Sequence, residues 1–116
     1  MRIVAHVPDL IDRSKVAAAA EVVGAELVLV RSAAGLAEAA AAGADLVVLD
    51  LGRAGVLDAI AGLGETPTVG FASHVDADLI RRARAAGCGR VLARSAFFGH
   101  LPQALTGSSG GGPAPG

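Results

Sequence analysis

The chain is poor in aromatic residues, cysteine and net charge, and each shortage excludes a class of function. It has three phenylalanines and neither tryptophan nor tyrosine, so side chains that could stack on bases or sugars are nearly lacking. The formal net charge is −1, which provides no basic field for nucleic acid, and we expect no nucleic-acid partner. The single cysteine, Cys88, excludes an internal disulfide and suits a reducing compartment.

Long apolar runs are also lacking. Glu21, Glu26, Glu38 and Asp45 interrupt the longest apolar stretches, so none approaches the ~20 residues of a membrane span. The N-terminus enters a short apolar segment without an extended signal-peptide core. We therefore expect a cytoplasmic protein with no membrane partner.

What the chain does have is aliphatic residues in a repeating pattern. Hydrophobic residues make up 53% of its 116 residues, enough for one domain with an aliphatic core. Short apolar runs alternate about five times with helix-favouring segments. The predicted strands cover residues 3–7, 26–31, 44–52, 68–72 and 90–94. Parallel neighbours need crossover connections, so the pattern predicts an α/β fold with a five-stranded parallel sheet and helices on both faces.

The predicted helices lie between and after these strands. They run from Asp9 or Asp12 to Val23 and over residues 33–42, 53–61 and 75–86, and the last begins at Ser95. Ser73 and Asp76 have the spacing of a capping box for the fourth helix, Ser95 is expected to cap the last helix, and Pro102 either kinks or restarts it. The domain is expected to cover residues 1–105, and the Gly-, Ser- and Pro-rich residues 106–116 are predicted to be a flexible tail.

Asp50 is the most informative residue, because it closes the most apolar predicted strand, Ala44 to Gly52. Ligands of open α/β sheets bind outside the carboxyl ends of the strands. His6, Ser73 and Arg94 follow other strands and are expected to lie on the same rim. For Asp50 two interpretations stay open: a switch or phosphoacceptor, or a structural carboxylate paired with Arg94 or Arg53.

The other rim residues also have structural alternatives. His6 either makes a structural hydrogen bond or acts at the rim by sensing pH or bonding Asp50. Ser73 is favoured as a cap over a phosphoryl contact. Cys88 is expected to be a small buried hydrophobic residue.

The residues Asp45-Leu46-Val47-Val48-Leu49-Asp50-Leu51, together with residues 67–74, 83–87 and 91–95, resemble the receiver domains of bacterial response regulators. The resemblance covers residues 2 to about 105 and implies a receiver-like, flavodoxin-like (βα)5 fold with the strand order 2-1-3-4-5. It also implies that Asp50 occupies the place of the phosphorylated aspartate.

The sequence departs from the receiver pattern where the chemistry of the family resides. His6 and Val7 stand where receivers have an acidic pair that holds Mg²⁺, and a valine cannot ligate a hard cation. Ala72 stands at the place of a Thr or Ser, and Arg94 at the place of a lysine. We therefore expect no enzymatic activity, no cofactor and no metal site, with Mg²⁺ disfavoured.

The predicted function is an atypical, stand-alone receiver-like signalling module that acts by binding a protein partner. Arg81, Arg84, Arg90 and Phe98 are the candidate partner-binding face, because an aromatic residue flanked by arginines is typical of interfaces. A solvated helix face is the structural alternative, and a homodimer is also open. The functional alternatives are a phosphorylatable single-domain regulator that uses Asp50 and a small-ligand-binding domain of flavodoxin-like fold.

Overall fold

The computed structural model describes residues 1–106. The predicted tail, apart from Thr106, lies outside the described residues. Five strands are present: β1 (Arg2–His6), β2 (Glu26–Leu29), β3 (Leu46–Asp50), β4 (Thr68–Ala72) and β5 (Arg90–Ala93). The helices are α1 (Leu10–Val22), α2 (Leu36–Ala41), α3 (Val56–Ala59), α4 (Ala77–Ala85), α5 (Arg94–Gly99) and α6 (Leu101–Thr106). Short 3₁₀ turns, Ala33–Gly35 and Ile60–Leu63, precede α2 and follow α3.

The strands form one parallel sheet in the order β2-β1-β3-β4-β5. This order confirms the predicted doubly wound α/β fold of receiver-like, flavodoxin-like type. β3 lies at the centre of the sheet and every one of its residues is buried, which explains why its sequence is an unbroken apolar run. The carboxyl end of this central strand is Asp50.

The core has two layers, one on each face of the sheet. Val48 packs with α1, α5 and α6 on one face, whereas Val47 and Leu49 pack with α2, α3 and α4 on the other. The alternation follows from the period of two along a strand. No helix among residues 1–106 is both long and apolar enough to cross a membrane.

Several predicted helix starts are wrong: the third helix begins at Val56, where residue 53 was predicted. The fourth helix begins at Ala77, and Asp76 is its N-cap, with its carboxylate accepting a hydrogen bond from the Leu79 N–H at 3.2 Å. Ser73 accepts instead from the Val75 N–H at 3.4 Å, because the chain first makes a turn in which the Asp76 N–H donates to the Ser73 carbonyl. The capping box is therefore not formed.

The last helical region also differs from the prediction at its start. α5 begins at Arg94 directly after β5, and no side chain caps it, so Ser95 is not its cap. The helical region is divided at His100, and Pro102 lies in the first turn of α6. Proline is tolerated there, since a first-turn N–H has no partner within the helix.

Candidate functional site

Asp50 ends β3 with its side chain nearly buried and paired with a cation. The carboxylate is 12% exposed, and its Oδ2 accepts a hydrogen bond from Nε of Arg53 at 3.0 Å. The pair is local: the Arg53 N–H donates to the Asp50 carbonyl at 3.1 Å, and this turn brings the guanidinium back over the strand end. Of the two arginines that the sequence offered as partners, the structure places Arg53 on Asp50.

Arg94 pairs with a different carboxylate, which sequence analysis considered only as a helix cap. Its Nη2 donates to Oδ1 of Asp12 at 2.8 Å, and the Asp12 side chain is 7% exposed whereas that of Arg94 is 44% exposed. The hydrogen bond to Asp12 is the main reason that the pKa of Arg94 lies above its ordinary value, and the charges of Asp12, Asp50 and Asp9 add to it. Arg94 is thus near enough to Asp50 for the charge of Asp50 to raise its pKa. Its hydrogen bond, however, goes to Asp12 on α1.

The Arg94 guanidinium lies over two of three clustered phenylalanine rings. The Arg94 guanidinium carbon lies 5.3 Å from the ring centre of Phe71 and 5.0 Å from that of Phe98. Phe97 completes the group, with its ring centre 4.8 Å from that of Phe71. A planar guanidinium can stack on rings and still donate to a carboxylate, which a lysine ammonium does less well.

Asp9 adds a third carboxylate to this end of the sheet. Its side chain is the N-cap of α1 and accepts from the Asp12 N–H at 2.9 Å. This hydrogen bond is the main cause that lowers the pKa of Asp9 below its ordinary value, and the charges of Arg53 and Arg94 lower it further. The rim thus combines Asp9, Asp12 and Asp50 with two guanidinium groups.

His6 has a structural hydrogen bond. The ring is buried, and its Nδ1 lies 2.9 Å from the Val30 carbonyl oxygen. A carbonyl only accepts, so Nδ1 carries the proton and donates. His6 therefore holds the residue that follows β2 against β1. Ser73 is exposed, and its hydroxyl serves the turn described above.

The side chains present do not fit the Mg²⁺ site of a receiver. Val7, at the place of a family acid, is 2% exposed and packs in the apolar core. Each nearby carboxylate has a partner: Arg53 for Asp50, Arg94 for Asp12 and a backbone N–H for Asp9. In residues 1–106 no group of three or more His, Cys, Asp or Glu side chains is placed to hold a metal ion. One oxygen of Asp50 and one oxygen of Asp12 are therefore already bonded to a guanidinium group.

The candidate partner-binding residues lie on α4, β5 and α5, at one edge of the sheet. Arg81 and Arg84 are exposed on α4, and Arg81 pairs with Asp78. Arg90 is half-buried, and its Nη2 donates to the Ala104 carbonyl at 2.6 Å. Phe98 is half-buried against Phe71 and Phe97, so less of its ring is free than an exposed aromatic would offer.

A cavity of about 350 Å³ lies between the loop after β3 and the start of α4. Its lining includes Leu51, Arg53, Leu57, Asp76 and Arg82. Gly70 makes room for Leu51, since a Cβ at Gly70 would lie 2.6 Å from Leu51 side-chain atoms. The absence of a side chain at Gly70 in β4 therefore leaves space for Leu51, the residue that follows Asp50.

Cys88 is buried and unpaired among the described residues, as expected for a small hydrophobic side chain. Its thiol donates to the Arg90 carbonyl at 3.3 Å. Burial raises the pKa of the Cys88 thiol above its ordinary value, against smaller opposing contributions from hydrogen bonds with Thr68 and the backbone. A raised pKa keeps the thiol protonated and unreactive near neutral pH.

Sequence comparison found no family model and no curated protein that matches the chain. Solved structures do match. A response regulator from Hahella chejuensis superposes with a TM-score of 0.76 at 20% identity, over 91% of this chain and 92% of that one. A response regulator from Thermotoga maritima gives a TM-score of 0.74 at 18% identity, over 91% and 94% of the two chains.

A third match is the phosphorylated cyanobacterial phytochrome response regulator RcpA. Its TM-score is 0.71 at 22% identity, over 93% of this chain and 90% of that one. Identities this low establish the fold alone. The superpositions agree with the strand order β2-β1-β3-β4-β5 of this chain.

Proposed function

We propose, from the receiver fold of this chain, that it is an atypical response-regulator module that acts by binding a protein partner without ordinary Mg²⁺-dependent phosphorylation of Asp50. The observation that carries the proposal is the pairing of the rim charges. Aspartyl phosphorylation needs a metal that neutralises the donor phosphate and the developing charge. Here guanidinium groups hold the Asp50 and Asp12 carboxylates, and Val7 contributes no ligand.

The first experiment measures phosphorylation directly. The chain is incubated with acetyl phosphate and Mg²⁺, and its intact mass is recorded beside that of a receiver domain that retains the acidic pair. We expect a phosphoryl adduct on the control alone. An adduct on this chain that is lost in Asp50→Asn would establish the phosphorylatable regulator instead.

The Arg53→Ala variant tests whether the arginine is the obstacle. Removing Arg53 frees the Asp50 carboxylate but leaves Val7 in place, so we expect the variant to remain unmodified as well. If only the variant gains an adduct, the missing acids are not the reason for inactivity.

The proposed partner-binding face consists of Arg81, Arg84, Arg90 and Phe98. α4 has one fully buried residue among its nine, Ala83, so most of this helix is available for contact. Arg84 has no ion pair within residues 1–106. The arginine beside Phe98 is Arg94, whose guanidinium carbon lies 5.0 Å from the ring centre, and arginine beside a half-buried aromatic is a composition typical of binding hot spots. The free positive charge of Arg84 favours an acidic partner.

Affinity capture from the native host tests this face. Wild-type chain, Arg84→Glu and the control charge reversal Glu38→Lys are used as baits, and captured proteins are quantified. We expect a protein that wild type and Glu38→Lys retain and Arg84→Glu loses, because Glu38 is exposed on α2, which packs on β1 away from this face. Equal capture by all three baits contradicts the assignment of the face.

The cavity of about 350 Å³ beside Arg53 supports a second candidate, a small-ligand binder. Its volume is within the usual range for ligand sites, and both charged and apolar side chains line it. A thermal-shift screen with nucleotides and flavins tests this candidate. A rise in Tm that Arg82→Ala abolishes would favour it over the module proposal.

A further inference from the structure

A groove of about 550 Å³ lies at the other edge of the sheet, beside β2 and the start of α1. Its lining consists of Val7, Pro8, Arg13, Leu29, Val30 and Arg31. The only charged groups in this lining are the two arginines, and neither makes an ion pair or a side-chain hydrogen bond within residues 1–106. The groove therefore combines apolar side chains with two positive charges that have no partner in this part of the chain.

The backbone of β2 is open along this groove. β2 is an outer strand of the sheet and pairs with β1 alone among the described strands. The Val30 N–H donates to the Ala5 carbonyl, and the Val30 carbonyl accepts from His6, so the backbone groups of Val30 face inward. Backbone groups of successive residues in a strand point to opposite sides, and those of Leu27 and Leu29 in β2 therefore face away from the sheet.

Exposed apolar side chains continue the groove. Leu29 is 45% exposed and Leu10 is 67% exposed, which is unusual for leucines in a domain with an aliphatic core. Leu10 and Arg13 are three residues apart on α1 and share a helix face. An open strand edge with exposed leucine is a template for pairing with another chain.

We propose that this groove binds an extended, acidic segment of a partner protein, which adds to the sheet next to β2. Main-chain hydrogen bonds to Leu27 and Leu29 supply the pairing, and an apolar side chain of the segment covers Leu29. Carboxylates of the segment pair with Arg13 and Arg31. The charge of the groove selects an acidic segment over a basic or neutral one. This site is separate from the proposed face on α4, β5 and α5.

The test is an unbiased peptide selection. Random peptides displayed on phage are selected on the wild-type chain and counted against selection on the Arg13→Glu/Arg31→Glu double variant. We expect enrichment of peptides that combine Asp or Glu with Leu, Ile or Val. The strongest peptide is then synthesised, and its affinity is measured by fluorescence anisotropy.

We expect the double charge reversal to weaken this peptide by about tenfold or more, because two exposed ion pairs are lost and replaced by repulsion. Arg84→Glu is the matched control and should leave the affinity unchanged. Circular dichroism and thermal melting verify that each variant is folded. Amide exchange of Leu27 and Leu29 should slow in the complex, which docking by side chains alone would not cause.

Three results overturn the inference: no enrichment on wild type relative to the double variant, selection of basic peptides, or a bound peptide that leaves both amides unprotected. Sedimentation at increasing protein concentration tests whether the groove instead binds a second copy of this chain. Self-association that the double variant abolishes would mean that the occupant is a second copy of this chain. Because Arg84→Glu and Arg13→Glu/Arg31→Glu report on different edges of the sheet, this inference and the proposed function can fail independently.

Discussion

Removal of the Arg94 guanidinium is expected to destabilise the fold by about 2–3 kcal/mol. Breaking a fully buried ion pair costs roughly 3–5 kcal/mol, because the remaining charge is left without a partner. The Asp12 side chain is 7% exposed and fits that description, but the Arg94 side chain is 44% exposed, so water replaces part of the interaction. Contacts of the guanidinium with the rings of Phe71 and Phe98 contribute roughly 0.5–1 kcal/mol.

Urea denaturation of Arg94→Met measures this effect, since methionine keeps an apolar stem on the rings. With a slope of roughly 1–3 kcal/mol per molar urea, we expect the midpoint to fall by about 1 M. A double-mutant cycle with Asp12→Asn separates the pair from the packing, and we expect a coupling energy of about 1–2 kcal/mol.

The matched control is the ion pair between Arg2 and Glu26, whose atoms are 3.3 Å apart. Its side chains are 37% and 64% exposed, and exposed pairs contribute roughly 0.2–1 kcal/mol. The cycle of Arg2→Met with Glu26→Gln should therefore give the smaller coupling. If the Asp12–Arg94 coupling is no larger than that of the control, the argument from burial is refuted.

Three further predictions concern the core and the helix caps. Because burial raises the pKa of Cys88 in the folded chain, the free energy of unfolding should fall as the pH rises through the unfolded thiol pKa of about 8.5. Urea titrations near pH 7 and about pH 10 should show this loss in wild type and not in Cys88→Ala; an equal loss in both would exclude the thiol as its cause. Asp76→Ala should cost about 1 kcal/mol in chemical denaturation, and Ser73→Ala should cost less, because only Asp76 caps α4; the reverse order would contradict the assigned cap. Gly70→Ala should cost roughly 1–3 kcal/mol in the same assay, because the new methyl group displaces Leu51; an unchanged midpoint would mean that Leu51 moves freely.

The strands of the sheet could be predicted from the local sequence, because burial of a strand determines which of its residues are apolar. The bounds of β4, Thr68–Ala72, agree with the prediction, and the central strand was recognised from its unbroken apolar run. Helix starts were less predictable. Ser73 and Asp76 both have cap chemistry, and the choice between them depends on a turn that residue types alone do not specify.

The partner of Arg94 was the main omission at the site. Asp12 and Arg94 are 82 positions apart, so no local spacing connects them. A signal for the burial of Asp12 was present, however. Asp12, Val16, Ala19 and Ala20 have the helical spacing of one face and are the buried residues of α1. A carboxylate on the apolar face of a helix requires a cationic partner. The pairing of Asp12 with an arginine such as Arg94 could therefore have been predicted from this requirement.

The charge arrangement at the rim has a consequence for regulation. A receiver that depends on a metal and a phosphoryl group gains and loses charge at its central aspartate. In this chain Arg53 and Arg94 are covalent parts of the molecule, and in the folded chain they pair with Asp50 and Asp12. If Asp50 remains unmodified, as proposed, the rim provides no covalent change that could shift the fold between two states. Regulation then has to come from which partner is bound and at what concentration, since a ligand shifts an equilibrium only by its different affinities for the two states.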